Sequence, residues 1–163
     1  MALSAFLDLK SCSPSIVGPC QQKGREGFIE VIAASHEIVA PRDPASGLPT
    51  GKVMNKPLTL TWELDHEIAL VYNALTQNQN LTKMLVKFYR PTQAGGEEFY
   101  YSIELQDASV ASVSFKLFNN KIANMTAFRP CVDVSFTYRC ITWSSVKPAV
   151  LATCDWLAPG GTG

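Results

Sequence analysis

The two histidines are the first place to look for chemistry. His36 stands in Ser35-His36-Glu37 and His66 in Asp65-His66-Glu67. Either pattern could offer a general base or a metal ligand. Neither histidine has the second one four residues on that a helical zinc protease site needs, and neither sits beside a Cys-x-x-Cys pair. Both therefore read as surface or hydrogen-bonded side chains. The five cysteines, Cys12, Cys20, Cys131, Cys140 and Cys154, also form no such pair and leave one thiol over. In a reducing compartment they read as buried or idle thiols. The segment Gly47-Leu48-Pro49-Thr50-Gly51-Lys52-Val53 superficially suggests a phosphate loop. Its glycines are one residue too close, Val53 stands where Ser or Thr would hold magnesium, and Pro49 removes a backbone donor. No Gly-rich dinucleotide fingerprint and no Gly-x-Ser-x-Gly elbow occurs. No catalytic constellation emerges, and no cofactor or metal is expected.

Composition narrows the partners. Lys plus Arg balances Asp plus Glu at 14 each, so no net field draws in nucleic acid or an anionic membrane. Lys87-Phe88-Tyr89-Arg90 interleaves aromatic and basic residues, but one such run in a neutral chain is weak support for single-stranded nucleic acid. Hydrophobic residues make up 47% and charged residues 17%, which suits a folded chain with apolar surface to bury against partners. No run approaches the roughly 18 apolar residues of a membrane-crossing helix. The stretch Met1–Asp8 lacks a basic start, and Asp8 and Lys10 interrupt it, so cytosolic synthesis without a standard export signal is the expectation.

The elements that would position these residues are mostly strands. Leu58, Leu60 and Trp62 alternate with Thr59 and Thr61. The same period of two runs through Glu98–Gln106, through Ala111–Leu117 and through Val132–Arg139. Further strands are expected at Ala5–Lys10, Phe28–Val39 and Met84–Arg90. The second, apolar on both sides near its start, should be covered on both faces. One helix is expected after Asp65, with Asp65 as N-cap, Glu67 at the positive end of the dipole, and Ile68, Val71, Tyr72 and Leu75 as its apolar stripe. Gln93–Gly96 should turn a hairpin. The segment Pro41–Lys52, with three prolines and two glycines, looks built to reach outward and be held. Ala158–Gly163 should be a disordered tail. The chain suits one mainly β domain.

Several stretches taken together resemble the Hcp family, the tube protein of the bacterial type VI secretion machinery. They are Glu26–Ile32, Ser35–Lys52, Lys56–Leu60, Leu70–Leu75, Phe88–Pro91, Glu98–Ser102, Val134–Trp143 and Asp155–Trp156. The block from Ser35-His36-Glu37 to Pro49-Thr50-Gly51-Lys52 is the most specific. The match is weakest at the helix start, where His66 and Glu67 replace the family's usual lysine and serine, and at Ser144–Pro148. The resemblance implies a compact β-barrel of two antiparallel sheets with one flanking helix over residues 1–157. It implies a hexameric ring, rings stacked into a tube, a contractile sheath and spike as partners, and effector proteins carried in the lumen. Such a chain is structural, not an enzyme, enters no membrane, binds no nucleic acid, and is secreted through the machinery itself.

The resemblance also nominates residues. Pro41, Arg42, Asp43, Pro44, Gly47, Pro49, Gly51 and Lys52 fall in the family's extended loop, which reaches the adjoining ring. Ser35, Ser112 and Ser114 fall on strand faces that resemble the inner wall and are expected to meet cargo. Two other readings stay open from the residues alone: a non-assembling β-barrel binding module, and, more remotely, a hydrolase whose triad forms only in three dimensions.

Overall fold

The structure is a computed structural model and describes residues 3–156; the expected tail at 158–163 lies outside the described residues. In chain order the strands are β1 (Ser4–Asp8), β2 (Ile29–Val31), β3 (Ala33–Ser35), β4 (Ile38–Val39), β5 (Met54–Asn55) and β6 (Leu58–Glu63). Helix α1 (Glu67–Thr76) follows, then β7 (Leu81–Pro91) and the long β8 (Glu97–Lys116). A short 3-10 turn at Ala123–Met125 precedes β9 (Cys131–Thr137), β10 (Cys140–Ser145) and β11 (Val150–Asp155). Every ladder is antiparallel.

Strand β8 organises the molecule. Its first half pairs with β7 on one side and with β10 on the other, and its second half pairs with β9. The sequence pattern suggests two strands here, 98–106 and 111–117, yet the backbone runs straight through. Between the halves Asp107 takes a positive φ of 50°, and a bulge between Val110 and Ser112 leaves Ala111 without a partner. Such irregularities bend a strand and sharpen its twist. They let β8 serve a sheet of order β2-β1-β7-β8-β10-β11 and then a second one of order β8-β9-β6-β3.

The core lies between these two sheets. Leu7, Met84, Val86, Leu105 and Ile141 of the first meet Leu58, Leu60, Trp62, Val132, Val134 and Phe136 of the second, all fully buried. The alternations read at 58–62 and 132–138 hold: each inward residue is buried and each outward one is at least partly exposed. Burying a side chain of this size contributes roughly 1.5–3 kcal/mol, so these two strands anchor the fold.

Four expectations are corrected. The sheets do not close into a barrel through a ladder: β2 and β3 end the pairing path on opposite sides and are joined only through Ile32. The Ile32 N–H, bonded to the Thr61 carbonyl at 2.7 Å, marks where the chain crosses from one sheet to the other. For the same reason Phe28–Val39 is not one strand but β2, β3 and β4, and Ile32 at the crossing is exposed, not covered on both faces. His66, not Asp65, occupies the N-cap position of α1 and makes no side-chain capping bond; the Asp65 carboxylate instead accepts the His66 backbone N–H at 2.6 Å. Its buried face is Glu67, Ile68, Val71 and Ala74, turned toward β8, while Tyr72 points to solvent.

The hairpin at 93–96 forms as expected, closed by Thr92 N–H to the Gly96 carbonyl at 2.7 Å. All five cysteines are free thiols, with Cys12, Cys131 and Cys140 buried. No helix among the described residues is long and apolar enough to cross a membrane.

Candidate functional site

Two surfaces gather the residues singled out above: the outward face of the second sheet, and a hairpin arm between β4 and β5.

Because β6 and β9 turn their leucines, valines and aromatics inward, their intervening residues must face out. Thr59 lies opposite Ser135 and Thr61 opposite Asp133. On one flank Ser35 of β3 lies opposite Thr59, and Ala33 opposite Thr61. On the other, Ser112 of β8 lies opposite Ser135, and Ser114 opposite Asp133. Residues paired across antiparallel strands point to the same face. Ser35, Thr59, Ser135 and Ser112 therefore form one row across four strands, and Ala33, Thr61, Asp133 and Ser114 a second. At about 4.8 Å per strand each row is about 14 Å wide. Ser35, far in sequence from Ser112 and Ser114, shares this face with them.

The β8 bulge makes the second flank possible. Ala108 and Val110 are buried, so a regular strand would turn Ser112 inward with them. The extra residue at Ala111 resets the phase, Val113 takes the inward position, and Ser112 and Ser114 are exposed.

The face is small, hydroxylated and internally satisfied. Thr59 Oγ1 and Ser135 Oγ are 3.0 Å apart, and Thr61 donates to Asp133 at 2.5 Å. Asp133 also pairs with Lys116. These contacts, Lys116 first and Thr61 second, hold the Asp133 carboxyl below its ordinary value and push the Lys116 ammonium up. With both charges neutralised by one another, the rows present hydroxyls and methyls with no net charge. Sequence inspection passed over Thr59, Thr61 and the Asp133–Lys116 pair. Their signal was present as the polar half of the alternations, but nothing local shows that four strands align them.

The second surface is the arm. Beyond the β4–β5 ladder, Arg42 and Pro49 form a lone antiparallel bridge. Asp43 N–H bonds the Leu48 carbonyl at 2.9 Å, Gly47 N–H the Asp43 carbonyl at 2.8 Å, and Thr50 N–H the Pro41 carbonyl at 3.0 Å. The Asp43 carboxylate accepts from the Ser46 hydroxyl and from the backbone N–H groups of Ala45 and Ser46, which hold it below the usual carboxylate range. Gly47 takes φ +72°, a conformation glycine adopts without strain. The expected loop is thus a preformed hairpin whose tip bonds only within itself. Pro44, Pro49, Gly51 and Lys52 are exposed, as is Leu48 at the tip.

Neither histidine belongs to these surfaces. His36 Nε2 lies 2.6 Å from the Tyr138 hydroxyl, which itself donates to the Lys56 carbonyl at 3.2 Å. Burial holds His36 below its ordinary pKa and pushes Tyr138 up to about 12. His66 sits far along the chain at the start of α1, bonded to Asp65.

Comparison with known proteins places this architecture. The sequence pattern of the family described as "Type VI secretion system effector, Hcp" matches residues 6–144. The "Major exported protein" of Pseudomonas aeruginosa is 36% identical over 143 residues, covering 88% of this chain and 83% of that one. Among solved structures, one described as "Crystal structure of Hcp protein" superposes with a TM-score of 0.88 at 25% identity, covering 97% of this chain and all of that one. The secreted protein Hcp3 of Pseudomonas aeruginosa gives 0.72 at 26% identity, covering 96% of this chain and all of that one. With the family's pattern spanning most of its length and the fold matched from end to end, the chain belongs to the Hcp family of the type VI secretion system.

Proposed function

We propose that this chain is a subunit of the type VI secretion tube, working by self-assembly and not by catalysis. Six copies form a hollow ring, and rings stack into a tube that a contractile sheath and spike drive into a target cell. The chain is made in the cytoplasm and leaves through the machinery. In the ring the protomers complete the curved wall that a single chain leaves open.

The observation that carries this reading is a pair of apolar surfaces at opposite ends of β8. At one end the outermost strand β11 exposes Val150 (59%) and Leu151 (69%) along an edge with no further strand beside it among the described residues. At the other, the segment after β8 exposes Leu117 (61%) and Phe128 (59%). The two attachment points on β8, near residue 103 and beyond residue 116, are about 40 Å apart along the strand. Being consecutive on β11, Val150 and Leu151 turn to opposite faces, so an edge open to pairing carries apolar side chains on both sides. Unlike surfaces on one protomer make head-to-tail contacts, and these close into rings when the rotation allows.

Within the ring, the hydroxyl rows bearing Ser35, Ser112 and Ser114 line the lumen. Their uncharged, wet surface suits weak contact with varied effectors. The arm, through Pro41, Arg42, Asp43, Pro44, Gly47, Pro49, Gly51 and Lys52, docks on the adjoining ring. Its prior ordering reduces the entropy lost on docking.

Sedimentation of the purified protein at micromolar concentration, with electron micrographs of the same sample, tests the reading. A six-fold species with visible annuli is expected. A clean monomer over that range overturns it and brings forward a non-assembling binding module.

A further inference from the structure

Glu67 is the one feature of the molecule that self-assembly leaves unexplained. It is the first residue of α1, it is fully buried, and neither of its carboxyl oxygens has a hydrogen-bond partner. A buried carboxylate without a partner is strongly disfavoured unless something neutralises it. Its own backbone N–H and the indole of Trp62, itself unpartnered, lie close enough to act on the carboxyl, but neither meets it with hydrogen-bond geometry. The guanidinium of Arg129, which lines the adjacent pocket, is taken up by Glu63 at 3.1 Å.

What Glu67 does face is a pair of exposed ligand-type side chains. His66 Nδ1 lies 4.0 Å from Glu67 Oε2 and 2.8 Å from Asp65 Oδ1. One ligand atom from each of the three residues falls within 4.8 Å of the others. We propose that Asp65, His66 and Glu67 form a site for a zinc-class divalent cation, with one imidazole nitrogen and two carboxylate oxygens as ligands and water in the open position.

The chemistry of the donor set selects the ion. The imidazole disfavours calcium and magnesium, which call for all-oxygen shells, and one nitrogen with two carboxylates and an open place suits a first-row divalent ion of the zinc or manganese kind. Bond lengths of about 2.0–2.1 Å in a tetrahedron set neighbouring ligands about 3.3 Å apart. The two separations from His66, 2.8 and 4.0 Å, bracket that value, and all three ligand atoms lie within 4.8 Å of one another. Asp65 and His66 are exposed, so the bond between their side chains can give way to an ion held against the fixed Glu67 carboxyl. Access is open as well: Trp62, Glu63, Asp65, Glu67 and Arg129 line a pocket of about 320 Å³ that opens to solvent. A bound ion neutralises the buried carboxylate and ties the start of α1 to the segment leaving β6.

The test uses the full chain stripped of metal with a chelator, then titrated with Zn2+ by calorimetry and with Co2+ by visible absorption. One ion per chain is expected, with a rise in melting temperature on adding Zn2+. The cobalt spectrum should lack a thiolate charge-transfer band. His66→Ala and Glu67→Gln should each weaken binding at least about tenfold. His66 is exposed, so its variant keeps the comparison valid even if Glu67→Gln folds poorly. No Zn2+ binding up to about 1 mM, binding unchanged in His66→Ala, or a cobalt–thiolate band that moves the ion to the cysteines would each overturn the site. The readout is binding per chain and is independent of whether rings form.

Discussion

His36 is locked between a tyrosine and a backbone carbonyl, and its protonation is thereby coupled to folding. The folded protein holds its pKa below the ordinary 6.5, because burial disfavours the charged ring. The unfolded chain titrates near 6.5. Between these two values the unfolded state binds more protons, so stability declines as pH falls through that window and is fully present above it. Melting temperatures taken from about pH 8 to pH 5 should fall at the acid end for the native chain. His36→Gln, which keeps a donor near Tyr138, should flatten that part of the profile. An unchanged slope would mean that other groups set it. The same residue shows what a sequence reveals and what it hides. A histidine on a strand reads as hydrogen-bonded from its neighbours alone, but its partner, Tyr138, lies 102 positions away.

Among the elements, the arm makes the sharpest prediction. Residues 41–50 bond to one another and contribute nothing to the buried core. Replacing 42–50 with a Gly/Ser segment of equal length should leave the melting temperature within about 2 °C, as for other surface changes. It should leave single rings intact and abolish stacks in electron micrographs. Stacks that persist would remove the arm from the contact. Element by element, legibility followed the regularity of the backbone. At 58–62 and 132–138 the alternation is unbroken and the burial matches it residue by residue. In β8 the alternation reads as two strands, 98–106 and 111–117, because the positive φ at Asp107 and the bulge at Ala111 leave no compositional mark of their own. In α1 a glutamate in the first turn ordinarily faces solvent and complements the dipole. Here the packing of α1 beside Trp62 buries it, and no local pattern records that.

For the whole molecule, the question is which surfaces are finished. Among the described residues the outermost strand β11 has no neighbour on its far edge, with Val150 and Leu151 exposed, the kind of edge that soluble proteins protect with charge or cover with a partner. Leu151→Lys puts such a charge there. Because Leu151 is 69% exposed, the folded chain should lose no more than about 0.5 kcal/mol. The ring, if built on that edge, should dissociate to monomer in sedimentation. A hexamer of unchanged strength would place the contact elsewhere. The polar rows on the second sheet give the opposite case. Ser35 and the pair Ser112 and Ser114 were nominated from two separate segments, and only the cross-strand register shows that one face carries them all.

The closed hydrogen-bonding of the arm has a consequence for descent. A segment that folds on its own terms, and on which the core does not depend, is free to change its sequence while the rest stays under the constraint of packing. When a gene for such a protein is duplicated, the two copies can diverge first at this tip. They could go on building the same ring while ceasing to recognise each other's rings, so that a cell keeps two machines apart with a difference of a dozen residues.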